Sequence, residues 1–145
     1  MFRLDERLER DTVALAKFPL CQLLLMNDSQ YPWFILVPQE AGLRELKELS
    51  VEQRRQYSLE SDAICNLLQG EFAAEKLNVA ALGNLVPQLH IHHIGRYAKD
   101  PAWPQPVWGV HPPVPYEPSA LQERLQRTRV GLEHAGFTIE WCEGN

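Results

Sequence analysis

Nine residues past the middle of the chain, Gln88-Leu89-His90-Ile91-His92-His93-Ile94-Gly95-Arg96, hold three of its five histidines. Polar and apolar residues alternate from Gln88 to His92, which is the period of a strand with one face in a core. Successive side chains of a strand point to opposite faces. The spacing therefore predicts Gln88, His90 and His92 together on one face, with Leu89 and Ile91 anchored on the other. Two imidazoles and an amide on a rigid support make a polar site. A sheet has to be built around this stretch.

The rest of the pattern supplies that sheet. Leu20 to Met26 is a nearly continuous apolar run, short enough for a buried strand. Asn27-Asp28-Ser29-Gln30 is turn-forming, because short polar side chains bond locally to backbone. Trp33-Phe34-Ile35-Leu36-Val37 then reads as a second strand, stopped at Pro38, and the two form an antiparallel hairpin. Lys76 to Leu82 alternates around Leu77, Val79 and Ala81, and the turn signal Gly83-Asn84 joins it to the histidine strand as a second hairpin.

Helices fill the remainder. Residues from about Leu4 to Lys17 are predicted helical, and Leu43-Arg44-Glu45-Leu46 fits a single turn. Ser50-Val51-Glu52-Gln53 is a capping box opening a helix that runs to Gly70. Ser119, with Gln122 three residues on, is expected to cap a last helix, and Phe137 to Trp141 a final short strand. Between Pro101 and Pro118 lie seven of the eleven prolines, so that stretch is neither ladder nor helix for long. It is expected to order by laying its aromatics on the domain or on a partner subunit. The fold class that follows is α+β: one domain over residues 1–145, a mostly antiparallel sheet of about five strands, and the Ser50–Gln69 helix across one face.

Composition narrows the function. A formal net charge of −5 lacks the basic footprint of a protein that binds nucleic-acid polymers. The three cysteines, Cys21, Cys65 and Cys142, form no CxxC pair, so neither a disulfide framework nor a thiolate zinc site is indicated. Met1-Phe2-Arg3-Leu4-Asp5-Glu6 runs straight into charge, unlike a signal peptide. The apolar runs are too short to span a bilayer. A cytoplasmic location with no membrane partner is expected.

Three uses of the histidines stay open on the residues alone. They can be structural. His-x-His can place two nitrogens on a cation, although a catalytic zinc normally takes three protein ligands and no acidic residue lies between Leu82 and Ala98. Or a neutral imidazole can attack phosphorus while its neighbour on the same face assists the departing group. In that case Gly83-Asn84 would offer amides to phosphate oxygens and Arg96 would add charge.

The run from Gly83 to Gly95 resembles the signature of the histidine triad (HIT) family, His-φ-His-φ-His-φ-φ with φ apolar, preceded by an amide-bearing glycine turn. Trp33-Phe34-Ile35-Leu36-Val37-Pro38 is similar to the family's His-x-Leu-Val-x-Pro strand. The likeness covers roughly residues 1–97, with the Pro/Trp-rich segment and last helix, about 98–145, as an extension. It implies a HIT-like fold of a bacterial type with glutamine at the first triad position. It also implies catalysis without cofactor or metal, a small-molecule nucleotide substrate and a homodimer. His90 falls at the nucleophile that forms a nucleotidyl-histidine intermediate at the α-phosphorus. His92 falls at the partner that hydrogen-bonds the phosphate and acts as proton donor, and Gln88 at the supporting first position. Asn84 falls at the phosphate-contacting turn, and Asn27 or Asp28 where the ribose is held.

Three departures from the pattern stand out. Gln88 cannot carry charge, Leu85 replaces a hydroxyl donor, and Trp33 stands where the strand often has histidine. His93 is expected to face the core as a satisfied buried histidine. A nucleotide-binding sensor without turnover, and a metal-binding protein using His90, His92 and His93, are the alternatives.

Overall fold

Each strand of this protein is an apolar run that the chain has to bury. The computed structural model describes residues 1–143. Its frame is a six-stranded sheet, with β1 Thr12–Lys17, β2 Cys21–Met26, β3 Trp33–Pro38, β4 Lys76–Ala80, β5 Ile91–Arg96 and β6 Glu140–Trp141. The order is β4-β5-β3-β2-β1-β6 and every neighbouring pair is antiparallel. This is the expected α+β architecture with six strands rather than five.

The additional strand is β1, where the sequence pattern suggested helix. The first helix, α1 Glu6–Asp11, is capped by Asp5, whose carboxylate accepts from the Arg7 amide at 2.8 Å. It stops after Asp11, and Thr12 to Lys17 pairs with β2 instead. A helix continuing to Lys17 would leave the backbone groups along that side of β2 unpaired, and a buried unpaired amide costs about as much as a lost hydrogen bond.

The long helix α2, Val51–Gly70, starts as predicted, with Ser50 and Gln53 exchanging cap bonds. The single turn expected over residues 43–46 forms further along instead, as a 3₁₀ turn over Leu46–Glu48. The last helix, α3 Pro118–Gly131, begins after Glu117, which makes no side-chain cap bond, and not at the expected Ser119 cap; Pro118 occupies its first turn. Proline suits that place, since its missing N–H would have had no helical partner anyway.

The sheet is covered on both faces. On one, α2 lays Ile64, Leu67 and Leu68 over Leu23, Leu25, Phe34 and Leu36, with Leu125 of α3 joining them. On the other, Leu24, Trp33, Ile35, Val37 and Ile94 pack with Leu8 of α1 and with Ala102 and Val107 of the Pro-rich segment. That segment therefore completes the second layer. Each large side chain buried this way contributes about 1.5–3 kcal/mol, which explains why β3 is apolar along its whole length. Buried Glu60 ties α2 to the start of β2, accepting from the Leu20 and Cys21 amides at 2.8 Å each. Among the described residues no helix is long and apolar enough to cross a membrane.

Candidate active site

The histidine stretch is strand for only part of its expected length. β4 ends at Ala80, opposite His92, and β3 pairs no further back than Ile91. Residues 88–90 thus have no ladder on either side, and the Leu89 amide bonds to the Leu43 carbonyl instead. Residues 81–90 form one loop from β4 to β5, wider than a hairpin turn at Gly83-Asn84 would be. The departure from strand brings the rings of His90 and His92 edge to face, with centroids 5.0 Å apart.

Each ring is fixed at one nitrogen. Nδ1 of His90 lies 2.6 Å from the carbonyl oxygen of Gln88. A carbonyl only accepts, so Nδ1 carries a proton, and in the neutral ring the lone pair is then on Nε2. His92 Nδ1 accepts from the indole Nε1–H of Trp33 at 3.0 Å. Trp33 and Trp108 flank the His92 ring, with centroids 5.7 and 5.1 Å away. Burial, reinforced by His90 and His93 nearby, lowers the His92 pKa to about 3.

His90 and His92 open into a cleft of about 440 Å³ lined also by Arg7, Asp11, Asn84 and Trp108. Gly83, in the left-handed region at φ 70°, lets the loop turn beside the histidines where a side chain would strain it. A second hollow of about 420 Å³ adjoins through Asp11, Met26 and Trp108, and it reaches Asn27, Asp28 and His111.

The structure brings some of the predicted residues together and not others. Gln88 does not turn toward the histidines. Its Oε1 accepts from the Asp5 amide and its Nε2 donates to the Arg3 carbonyl, both at 2.9 Å, so it fastens the entry to α1. Asn27 and Asp28 border the second hollow, yet each also holds the Pro-rich segment: Asn27 Oδ1 accepts from the Tyr116 amide and Asp28 from the Val114 amide. Arg96 is the clear departure. Its guanidinium is buried and bonds Asp100 at 2.8 and 3.0 Å, the Asn78 side chain and the Gln105 carbonyl. Those partners fix it inside the second layer, outside the linings of both hollows, so it brings no charge to the histidines. His93 points to the other face, buried, between the Ser61 hydroxyl at 2.8 Å and the Ile91 carbonyl. His90, His92 and His93 therefore do not converge. Among the described residues no cluster of His, Cys, Asp and Glu is arranged to hold a metal ion.

The HIT domain family model matches residues 7–99. The chain belongs to the histidine triad family.

Solved histidine triad proteins share its structure well beyond that match. One from Marinobacter aquaeolei is 49% identical with a TM-score of 0.90, covering 94% of this chain and 99% of its own. Another from Sinorhizobium meliloti is 42% identical at TM-score 0.88, covering 91% and 98%. A third, from Bradyrhizobium japonicum, is 38% identical at 0.87, covering 90% and 97%. The likeness to these relatives therefore takes in much of the chain beyond residue 99. No curated protein matches the chain. Proteins of the histidine triad family are in general nucleotide hydrolases or transferases that bind small nucleotide substrates.

Within this triad protein, two residues of the site were not visible as such in the sequence. Arg7 lies across the cleft, its Nη1 donating to the Leu85 carbonyl at 2.8 Å. Nothing local marks it, because the loop it meets is 78 residues away. Trp108 closes the cleft from the Pro-rich segment. The one signal for it is that aromatics among prolines have to pack somewhere.

Proposed function

We propose that the protein is a nucleotide hydrolase or nucleotidyl transferase acting at the α-phosphorus of a purine nucleotide conjugate. Nε2 of His90 attacks the phosphorus and a nucleotidyl-histidine forms, which water then hydrolyses. The observation that carries this reading is the bond from His90 Nδ1 to the Gln88 carbonyl. It leaves the lone pair on the ring nitrogen away from the backbone, and it steadies the charge the ring acquires on attack.

His92 donates from Nε2 to a phosphoryl oxygen. Asn84 and the neighbouring loop amides take the other oxygens, and Asn27 and Asp28 hold the ribose. Gln88 supports the site through its carbonyl and through its grip on α1. Arg7 supplies the positive charge that Arg96, occupied elsewhere, does not bring. Phosphoramidates and dinucleoside polyphosphates are the two substrate groups to compare. The reading includes a cytoplasmic homodimer, on the resemblance to the family.

Release of AMP from an adenosine phosphoramidate and from diadenosine polyphosphates tests the reading. Turnover is expected for the protein and is expected to vanish for a folded His90→Asn variant. No turnover on any substrate, with nucleotide bound equally by both, would point instead to a sensor.

A further inference from the structure

Trp33 is a buried residue of β3 that borders the second hollow, packs on Trp108 with ring centroids 5.9 Å apart, and meets the cleft histidines at His92. An indole nitrogen donates and never accepts. Its bond to His92 Nδ1 at 3.0 Å therefore requires the lone pair on Nδ1 and places the ring's one proton on Nε2. Among the described residues no other hydrogen bond reaches the His92 ring. The two cleft histidines are consequently set in opposite tautomers, His90 with its proton on Nδ1 and His92 with its proton on Nε2.

We propose that Trp33 is a positioning residue that holds His92 as a neutral hydrogen-bond donor unable to release its proton, and thereby selects substrates whose departing group leaves as an anion. This inference rests on the reading of the site as nucleotidyl-transferring, and it departs from the expectation that His92 acts as proton donor. A neutral imidazole that gave up its Nε2 proton would become an anion beside the phosphate. A general acid in this place would have to be an imidazolium with protons on both nitrogens. The second proton has no room at Nδ1 while the indole N–H points there. The surroundings oppose it as well. His90 and the rings of Trp33 and Trp108 enclose His92, Arg7 lines the same cleft, and the Asp11 carboxylate is paired with Arg10. His93 lies on the opposite face.

The chemistry then separates two kinds of substrate. As the His90 Nε2–P bond forms, the bond from phosphorus to the departing group breaks and its electron pair leaves with that group. A phosphate or carboxylate departs with the pair and needs no proton. An amine needs one, and neither ring offers it: His90 keeps its Nδ1 proton against the Gln88 carbonyl as its ring becomes cationic. Water then attacks phosphorus, the P–N bond breaks, the pair returns to Nε2, and the proton from water passes to solvent.

The test compares the protein with Trp33→Phe and Trp33→His, using diadenosine triphosphate and an alkylamine phosphoramidate of AMP. Nitrogen NMR of the histidine rings is recorded on all three. The intact protein is expected to show His92 protonated at Nε2 alone, and kcat/KM for the anhydride about 100-fold or more above that for the amide, the scale of a missing general acid. Trp33→His, whose ring can accept as well as donate, is expected to narrow that ratio by about tenfold or more. Trp33→Phe is expected to let His92 populate both tautomers. Equal turnover of both substrates by the intact protein, or a proton on His92 Nδ1, would overturn the proposal. Loss of all turnover with the Nε2 tautomer in place would instead contradict the reading of the protein as an enzyme.

Discussion

His92 and His93 are adjacent in the chain and sit on opposite faces of β5, both buried and both easier to leave neutral than to charge. Burial lowers the His93 pKa to about 4, partly offset by its bond to the Ile91 carbonyl, and that of His92 to about 3. In the unfolded chain each would titrate near about 6.5. Between these limits the unfolded state binds more protons than the folded one, so stability falls as pH drops. It is whole above the unfolded value, and the loss levels off below the folded ones. Each ring contributes a slope of up to about 1.4 kcal/mol per pH unit. Thermal melts from pH 7 to pH 4.5 are expected to show a falling Tm, with a shallower fall in His93→Gln. Equal slopes for the two proteins would contradict the burial argument for His93.

The elements tell more about what the sequence disclosed. The β2–β3 hairpin and the capped α2 were legible because their signals are local: an apolar run between turn residues, and Ser50 with Gln53 three positions apart. The histidine stretch was legible as chemistry and misleading as geometry. Its alternation continues through Gln88, while the ladder that would hold Gln88 in strand ends at Ala80 and Leu36. α1 was drawn too long because Val13, Ala14 and Leu15 suit a helix as well as a strand, and only the open side of β2 decides between them. The short α1 has a functional consequence, since it sets Arg7 over the loop at Leu85. If Arg7 supplies charge to the phosphate, Arg7→Gln is expected to weaken substrate binding by about ten- to a hundredfold, the loss of one charged hydrogen bond. KM rises while the melting temperature stays near that of the intact protein. Unchanged KM would reduce Arg7 to a tether between α1 and the loop.

For the molecule as a whole, the Pro-rich segment is where the sequence was least informative. Its prolines say what it cannot be, and its place depends on long-range partners: Asn27 and Asp28 at one end, Arg96 at the other. Arg96 reads in the sequence as a cation at the end of the histidine run. Only the folded chain shows it buried against Asp100, side-on through Nε and Nη2. Removing one partner of a buried ion pair strands the other charge and costs about 3–5 kcal/mol. Asp100→Ala is therefore expected to lower stability by about that amount, measured by urea unfolding, and to loosen the segment that carries Trp108. A change near zero would mean that the segment is not held through Arg96.

The cleft, the loop and the Pro-rich cover all serve one claim, that His90 Nε2 becomes bonded to phosphorus. The most direct measurement is intact-mass and peptide-mapping spectrometry of the protein quenched in acetone during turnover of a nucleotide conjugate. A nucleotidyl adduct mapping to His90, absent from His90→Asn, is the predicted result. Turnover with no adduct on any histidine, or turnover that persists in His90→Asn, would contradict it.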